Sequence, residues 1–506
     1  MQTRKETILR SLAMVAIGGV MLGAQPLRAL EYDDPEGAEV LTRGPVHEAF
    51  ASAVSYNAEV GIIVSNRPPD VIDELPPDQR PEGDNVTWIP GYWGWDEEQS
   101  DFLWISGVWR NLPPGRQWVP GYWADTEGRF QWTSGYWQDA ETTEVSYLPE
   151  PPRSLEAGPN IPAPSADVTW VSGNWMWNDN SYAWRAGYWA PARQDWMWTP
   201  ASYRWTHRGY VYVDGYWDYT VARRGVLFAP VRFNRVAYVN PGYYYRPSTV
   251  ISISVFTDHL FLRPNYCHYY FGDYYAPRYR DHGYYASYSY HSSRRGFDPI
   301  YYHNRWEHRH DRGWERGRRE YFEYRRDNEG SRPARTWAAF NSRPERERGV
   351  MAQRYDRFIG SRRGDGQRFQ AVAREDRDRF VSQRQEIRKF GRERQDRETR
   401  AGRPAERGQV ARAESRRSPV AGRISSRGAD APPKRLEARQ GGDRQQQASR
   451  PDRQGEGRKG RENPATAGRD NNAARPNREN GGRETANRGN ADRPNEGREA
   501  ANRGNA

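Results

Sequence analysis

The chain has 506 residues, 36% of them hydrophobic and 28% charged, with a formal net charge of +11 and a mean hydropathy of −1.09. Leu, Ile and Val are scarce beside Trp, Tyr, Arg and Gly, which excludes a chain that is globular throughout. A single cysteine, Cys267, excludes an intrachain disulfide and every cysteine-based metal motif. Charge is segregated: +3 over residues 1–30, −18 over 31–220 and +26 over 221–506. An acidic region followed by a basic remainder points to a tail that meets an anionic partner or stays solvated.

In chain order, Arg4, Lys5 and Arg10 precede an uncharged apolar run from Ser11 to Gln25. That is the form of a secretory signal over residues 1–29, with cleavage after Ala24 or Ala29, the alternative being an uncleaved anchor. The run is shorter than the roughly 20 apolar residues a membrane span needs. No later stretch suits a transmembrane helix, so the mature chain is expected in the periplasm or outer cell envelope. Residues 30–83 form an acidic, Pro-rich lead-in. Ala49 to Val64 can supply a strand or short helix, and the prolines from Arg67 to Pro81 read as an extended linker.

The next stretch repeats Trp-x-x-Gly-x-Trp. It reads Trp88/Gly91/Trp93, Trp104/Gly107/Trp109, Trp118/Gly121/Trp123 and Trp132/Gly135/Trp137. It resumes as Trp170/Gly173/Trp175 and Trp184/Gly187/Trp189, degrades at Trp198, and closes with Tyr212/Gly215/Trp217. The stride from unit to unit is constant except for one longer step, from Trp88 to Trp104, and the second set of four repeats the first in the same order. Residues 84–146 and 168–265 are therefore two copies of a four-unit module, the second carrying extra aliphatic strands, joined by a Pro-rich linker, 147–167. Alternation of aromatic and polar residues within a unit, bounded by turn clusters, predicts antiparallel strands. The fold class is mainly β: a duplicated four-strand antiparallel meander of Trp-rich bulged strands, followed by a charged helical segment and a disordered tail. The bulge is placed at each Gly, where positive φ and one extra residue would turn both Trp to one face. Eighteen of the 21 Trp lie between residues 88 and 217, so indoles must supply most of the buried area.

These units resemble the YXWGXW (WXXGXW) repeat family of bacterial envelope proteins, over roughly residues 84–219. The resemblance implies an envelope location and no assigned activity. The seventh unit, Trp198-Thr-Pro-Ala-Ser-Tyr-Arg-Trp205, departs from the pattern by lacking the Gly.

Aliphatic runs at 226–229, 231–239 and 249–256 predict further strands packed on the second copy. Residues 266–335, dense in Tyr, Arg and His, read as an extended surface region. Residues 336–400 predict charged amphipathic helices, with Met351, Tyr355, Phe358 and Ile359 on one face and Phe369, Ala373, Phe380, Ile387 and Phe390 on another. Residues 401–506, rich in Arg, Asn and Gly without apolar periodicity, predict disorder.

No phosphate loop, G-x-S-x-G, H-E-x-x-H or nucleophile beside a base is present, so catalysis and cofactors are not expected. His308-Arg-His310 lacks the partners of a metal site. The sequence thus favours a non-catalytic exported scaffold or interaction protein whose basic arm meets an anionic envelope polymer or lipid headgroups. A carbohydrate-binding module using exposed Trp is the alternative. Nucleic-acid binding through the Arg-rich tail is a further one, at odds with export.

Overall fold

The computed structural model describes residues 37–344, 351–361, 367–400 and 409–422. The expected signal segment, 1–29, and nearly all of the 401–506 tail lie outside them. The described chain is mainly β, in small antiparallel sheets, with its longer helices toward the C-terminal end.

Each repeat unit forms two short strands parted at the Gly, such as Val86–Ile89 and Tyr92–Asp96. Antiparallel pairing joins neighbouring units two by two, giving four hairpins over residues 86–111, 116–139, 168–191 and 196–219. A continuous four-strand meander does not form. The free edge of the second unit is taken by Gly225–Leu227, which pairs with residues 108–110, so the third unit has no ladder to extend. The one longer step, from Trp88 to Trp104, reflects a longer turn. Residues 97–100 close the first hairpin, whereas Glu127 and Gly128, both at positive φ, close the second.

The pairing register runs straight through each parting. Trp88 pairs with Trp109 and Trp93 with Trp104; Trp118 pairs with Trp137 and Trp123 with Trp132. No residue is inserted, so the parting is a gap in the ladder and not the expected bulge. In the first hairpin the Trp residues five apart then lean to different sides, whereas in the second Trp118, Trp132 and Trp137 all join the main core. In the first hairpin Trp88 and Trp109 pack with Val226, Phe228 and Phe380, while Trp93 and Trp104 join the main core.

Three further expectations change. The aliphatic strands pack on the first copy: Val226 pairs with Trp109 and Val231 with Trp104. Residues 235–238 turn helical after Asn234, whose side chain caps Val236 N–H. The Tyr-rich stretch is core over residues 266–275 and 296–303, whereas residues 304–331 are half-buried or exposed, as expected of a surface region. Tyr266, Tyr269, Tyr270, Phe271 and Tyr290 are at most 1% exposed, because the phenol rings pack edge-on against one another and against the repeats. The amphipathic segment becomes a short helix, Tyr355–Gly360, and a long one, Arg374–Thr399, which buries Phe380, Ile387 and Phe390 together with Arg394 and Glu398.

Through the middle runs the segment 46–54, in which Val46, His47, Glu48, Ala49 and Phe50 are at most 1% exposed. Much of it pairs with no strand, so side chains satisfy several of its carbonyls. Arg110 Nε donates to Ala49 O (2.8 Å), Arg224 Nη1 to Phe50 O (2.9 Å) and Tyr290 Oη to Val54 O (3.0 Å).

Candidate functional site

Each gap in a ladder removes backbone groups from strand pairing, and buried amides of that kind need other acceptors. Glutamates supply them. In the first hairpin Glu74 accepts from Gly91 N (2.7 Å), Gly107 N (3.0 Å) and the indole of Trp104 (3.0 Å). In the second, Glu48 accepts from Gly135 N (2.8 Å) and the Trp132 indole (3.3 Å). In the third, Glu156 accepts from Gly173 N and from the Trp170 indole (3.2 Å). The carbonyl side of the second gap is met by Arg394, which donates to Pro120 O (2.7 Å) and Ser134 O (3.1 Å).

The same gaps explain the Gly. None of Gly91, Gly107, Gly121, Gly135, Gly173, Gly187 and Gly215 has positive φ. What each provides is room for the first Trp of the partner unit. A Cβ on Gly107 would lie 2.5 Å from Trp88, on Gly121 2.5 Å from Trp132, on Gly135 2.6 Å from Trp118 and on Gly187 2.4 Å from Trp170. The same holds for Gly91 with Trp104, Gly173 with Trp184 and Gly215 with Trp198. Cross-strand indoles then meet at 5.1–5.4 Å between centroids, mostly edge to face. The seventh unit keeps the register with Ala201 for Gly and Tyr203 for the second Trp, so Tyr203 faces Tyr212 at 5.3 Å.

The two copies differ in exposure. Trp88, Trp93, Trp104, Trp109, Trp118, Trp132 and Trp137 are buried and Trp123 is half-buried. In the second copy Trp170, Trp198 and Trp217 are buried, but Trp175, Trp184 and Trp189 are half-buried, as are the neighbouring Trp177, Trp196 and Trp205. The Pro-rich stretches before each copy contact the hairpins through their carbonyls. Asp70 O accepts from the Trp93 indole (2.9 Å), and Arg153 O accepts from the Trp175 indole (3.1 Å).

Burial shapes the electrostatics. Desolvation pushes the Glu48 carboxyl up to about 8 and that of Glu74 up to about 7, partly offset by the Gly amides that donate to them. Beside Glu48, His47 is driven down to about 4 and His268 to about 3, again by burial. His268 Nε2 lies 2.7 Å from Tyr92 Oη, whose hydroxyl accepts from Glu48 N (3.0 Å). Between copies, Arg110 meets both oxygens of Asp218 at 2.6 Å with neither side chain more than 4% exposed, and Arg224 lies 3.1 Å away from the same carboxylate.

The repeat residues named from sequence are thus brought together as interlocked pairs. Sequence reasoning does not single out the glutamates, yet a signal exists: Glu74 precedes Trp88 by the same interval as Glu156 precedes Trp170, each shortly after a Pro-Pro pair. Among the described residues, no group of three or more His, Cys, Asp or Glu is placed to hold a metal ion. No helix among them is long and apolar enough to cross a membrane. Compared with family models, with curated proteins and with solved structures, the chain matches none.

Proposed function

We propose that this is a non-catalytic, exported scaffold or interaction protein of the bacterial cell envelope, built on YXWGXW-type repeats. Its Arg-rich arm engages an anionic polymer or lipid headgroups. The observation that supports the reading is the commitment of the buried acids: Glu48, Glu74 and Glu156 are each turned onto amides and indoles of the repeat. The ionisable groups in the core serve to hold a frame together, which leaves the basic C-terminal region as the part with charge available for a partner. Retention of full-length protein and of a variant ending at Gly422 on envelope fractions, at low and high salt, tests this. Salt-sensitive retention that needs the tail is expected, and equal retention of both proteins overturns the role of the arm.

One observation favours carbohydrate as a second partner. The third hairpin keeps Trp175, Trp177, Trp184 and Trp189 half-exposed where the first copy buries the equivalent rings. Loss of polysaccharide retention in Trp177→Ala supports that reading, and unchanged retention removes it.

A further inference from the structure

In three of the four hairpins, the outer edge of the second unit is taken by another segment of the chain. Val231 pairs with Trp104 in the first, Ile63 and Val64 pair with Gln131 and Phe130 in the second, and Leu148 pairs with Tyr210 in the fourth. The last exchanges two backbone hydrogen bonds, Leu148 N to Tyr210 O (2.8 Å) and Tyr210 N to Leu148 O (2.9 Å). The third hairpin differs. Its corresponding strand, Ser181–Arg185, pairs with residues 174–178, and no other strand or bridge among the described residues meets it. Ser181, Ala183 and Arg185 are exposed and Tyr182 and Trp184 half-buried, whereas the equivalent strands Asp101–Ile105, Arg129–Thr133 and Gly209–Val213 are mostly buried.

The turn fixes which groups this edge presents. Asp179 and Asn180, at φ 47° and 62°, make a two-residue loop between Asn178 and Ser181. The pair flanking such a loop is hydrogen-bonded, so bonded pairs recur at 176 with 183 and 174 with 185, and Tyr182 and Trp184 turn their N–H and C=O outward. The inner strand follows the same parity: Trp175 O accepts from Tyr203 Oη, outside the pair, at 2.8 Å. Tyr182 aligns with Phe130 and Tyr210, and Trp184 with Trp104, the residues that receive a strand in the other hairpins. Free edges are commonly blunted by Lys, Pro or an inward charge. Ser181-Tyr182-Ala183-Trp184 carries none of these.

We infer that a second copy of this chain docks here, adding its own Ser181–Arg185 strand antiparallel about Ala183. The strand is complementary to itself in that register: Tyr182 stands opposite Trp184 and Ser181 opposite Arg185, so aromatic meets aromatic and no like charges face each other. Tyr182 and Trp184 are also the outward-bonding residues, and a hydrogen-bonded antiparallel pair needs both members to be so. The chain's own tail fits the edge less well. Beyond Gly422 its only Ile, Leu, Val or Met residues are Ile424 and Leu436, whereas Val231, Ile63, Val64 and Leu148 fill the other edges, and its many Arg would meet Arg185. The docking uses the strand edge, so it stands apart from both the proposed carbohydrate contact and the proposed role of the basic arm.

Sedimentation equilibrium of the full chain at rising concentration tests this, with hydrogen exchange measured on the same samples. A monomer–dimer equilibrium is expected, in which the Tyr182 and Trp184 amides exchange more slowly as the dimer fills. Ala183→Lys sets like charges opposite each other across the two-fold axis and should weaken association about fivefold; Ala183→Glu should do the same. Ala183 is exposed, so neither change touches the core. Mixing the Lys and Glu variants should restore association to at least its original strength. A chain that stays monomeric, a dimer that neither variant weakens, no recovery on mixing, or a dimer whose Tyr182 and Trp184 amides gain no protection overturns the inference. Dimerisation that appears only in a variant ending at Gly422 gives the edge to the tail and overturns it as well.

Discussion

Ala201 and Tyr212 occupy in the fourth hairpin the register positions that Gly91 and Trp104 hold in the first. The one unit whose Gly has gained a methyl is also the one whose partner opens with the smaller Tyr in place of Trp. The two departures from the repeat compensate each other across the gap. Tyr212→Trp alone is therefore expected to cost about 1–3 kcal/mol by overpacking. Adding Ala201→Gly should recover much of that loss, with a coupling of about 0.5–3 kcal/mol in denaturant unfolding. Additive effects would show that the two positions do not meet.

Gly135→Ala places a methyl 2.6 Å from the Trp118 ring and 2.9 Å from Val119 O. A loss of about 1–3 kcal/mol is expected, because neither a buried indole nor a strand carbonyl can move aside cheaply. Gly317, in the helix Trp314–Asp327, has nothing within 4 Å of the place a methyl would take, so Gly317→Ala should stabilise by about 0.5–1 kcal/mol. Thermal unfolding of the two variants should move in opposite directions.

Glu74→Ala strands the amides of Gly91 and Gly107 and the indole of Trp104. At about 1–3 kcal/mol for each buried donor left without an acceptor, the first hairpin should lose protection before the rest of the fold. Hydrogen exchange at Gly91 and Gly107 measures this directly. Glu74→Gln keeps an acceptor oxygen and should exchange far more slowly than Glu74→Ala.

Stability should peak in mildly acidic solution. The Glu48 and Glu74 carboxyls titrate at about 8 and about 7 when folded, above the ordinary carboxylate range near 4.5, so the folded state holds more protons and stability falls as pH rises toward 8. His47 and His268, held down to about 4 and about 3, act in the opposite sense: their contribution is present above about 6.5 and is lost as pH falls through 4 to 3. A melting temperature that falls from pH 6.5 to 8, and falls less in Glu48→Gln, is the expected result. A curve that rises over that interval contradicts it.

Asp218→Asn removes the charge that Arg110 and Arg224 share at 2.6 Å and 3.1 Å in the core. Breaking one side of a buried pair costs about 3–5 kcal/mol, and the loss here should loosen the first copy from the second. Limited proteolysis between the copies, within residues 147–167, should accelerate in this variant. An Arg110→Met/Arg224→Met/Asp218→Leu triple variant, which buries none of the three charges, should regain part of the stability.

The repeat, its antiparallel strands and its duplication are written in the spacing of Trp and Gly, since a residue that recurs at a fixed stride must meet the same neighbour each time. The role of the Gly is less legible. Positive φ and close approach both favour Gly, and only the facing Trp88 or Trp118 distinguishes them. The glutamates stay hidden because a lone Glu48 or Glu74 in an acidic, Pro-rich stretch looks like any solvated acid until its three-dimensional partners are known. The Tyr-rich core misleads for a related reason: Tyr266 to Tyr302 has no clean period, because its rings fill spaces left by other elements instead of lining one face of its own.

The segment 46–54 comes before every repeat in the chain, yet its carbonyls wait for Arg110, Arg224 and, at a separation of 236 residues, Tyr290. A chain appearing from its amino end cannot lock this axle until nearly half of its length has followed. Contacts so distant in sequence slow folding, so each hairpin can form early while the assembly of all four around their spindle is the late, rate-setting event. A protein of this design would be vulnerable to misassembly for as long as that spindle stands unclothed, and shortening the chain before Tyr290 should leave formed hairpins with nothing at their centre.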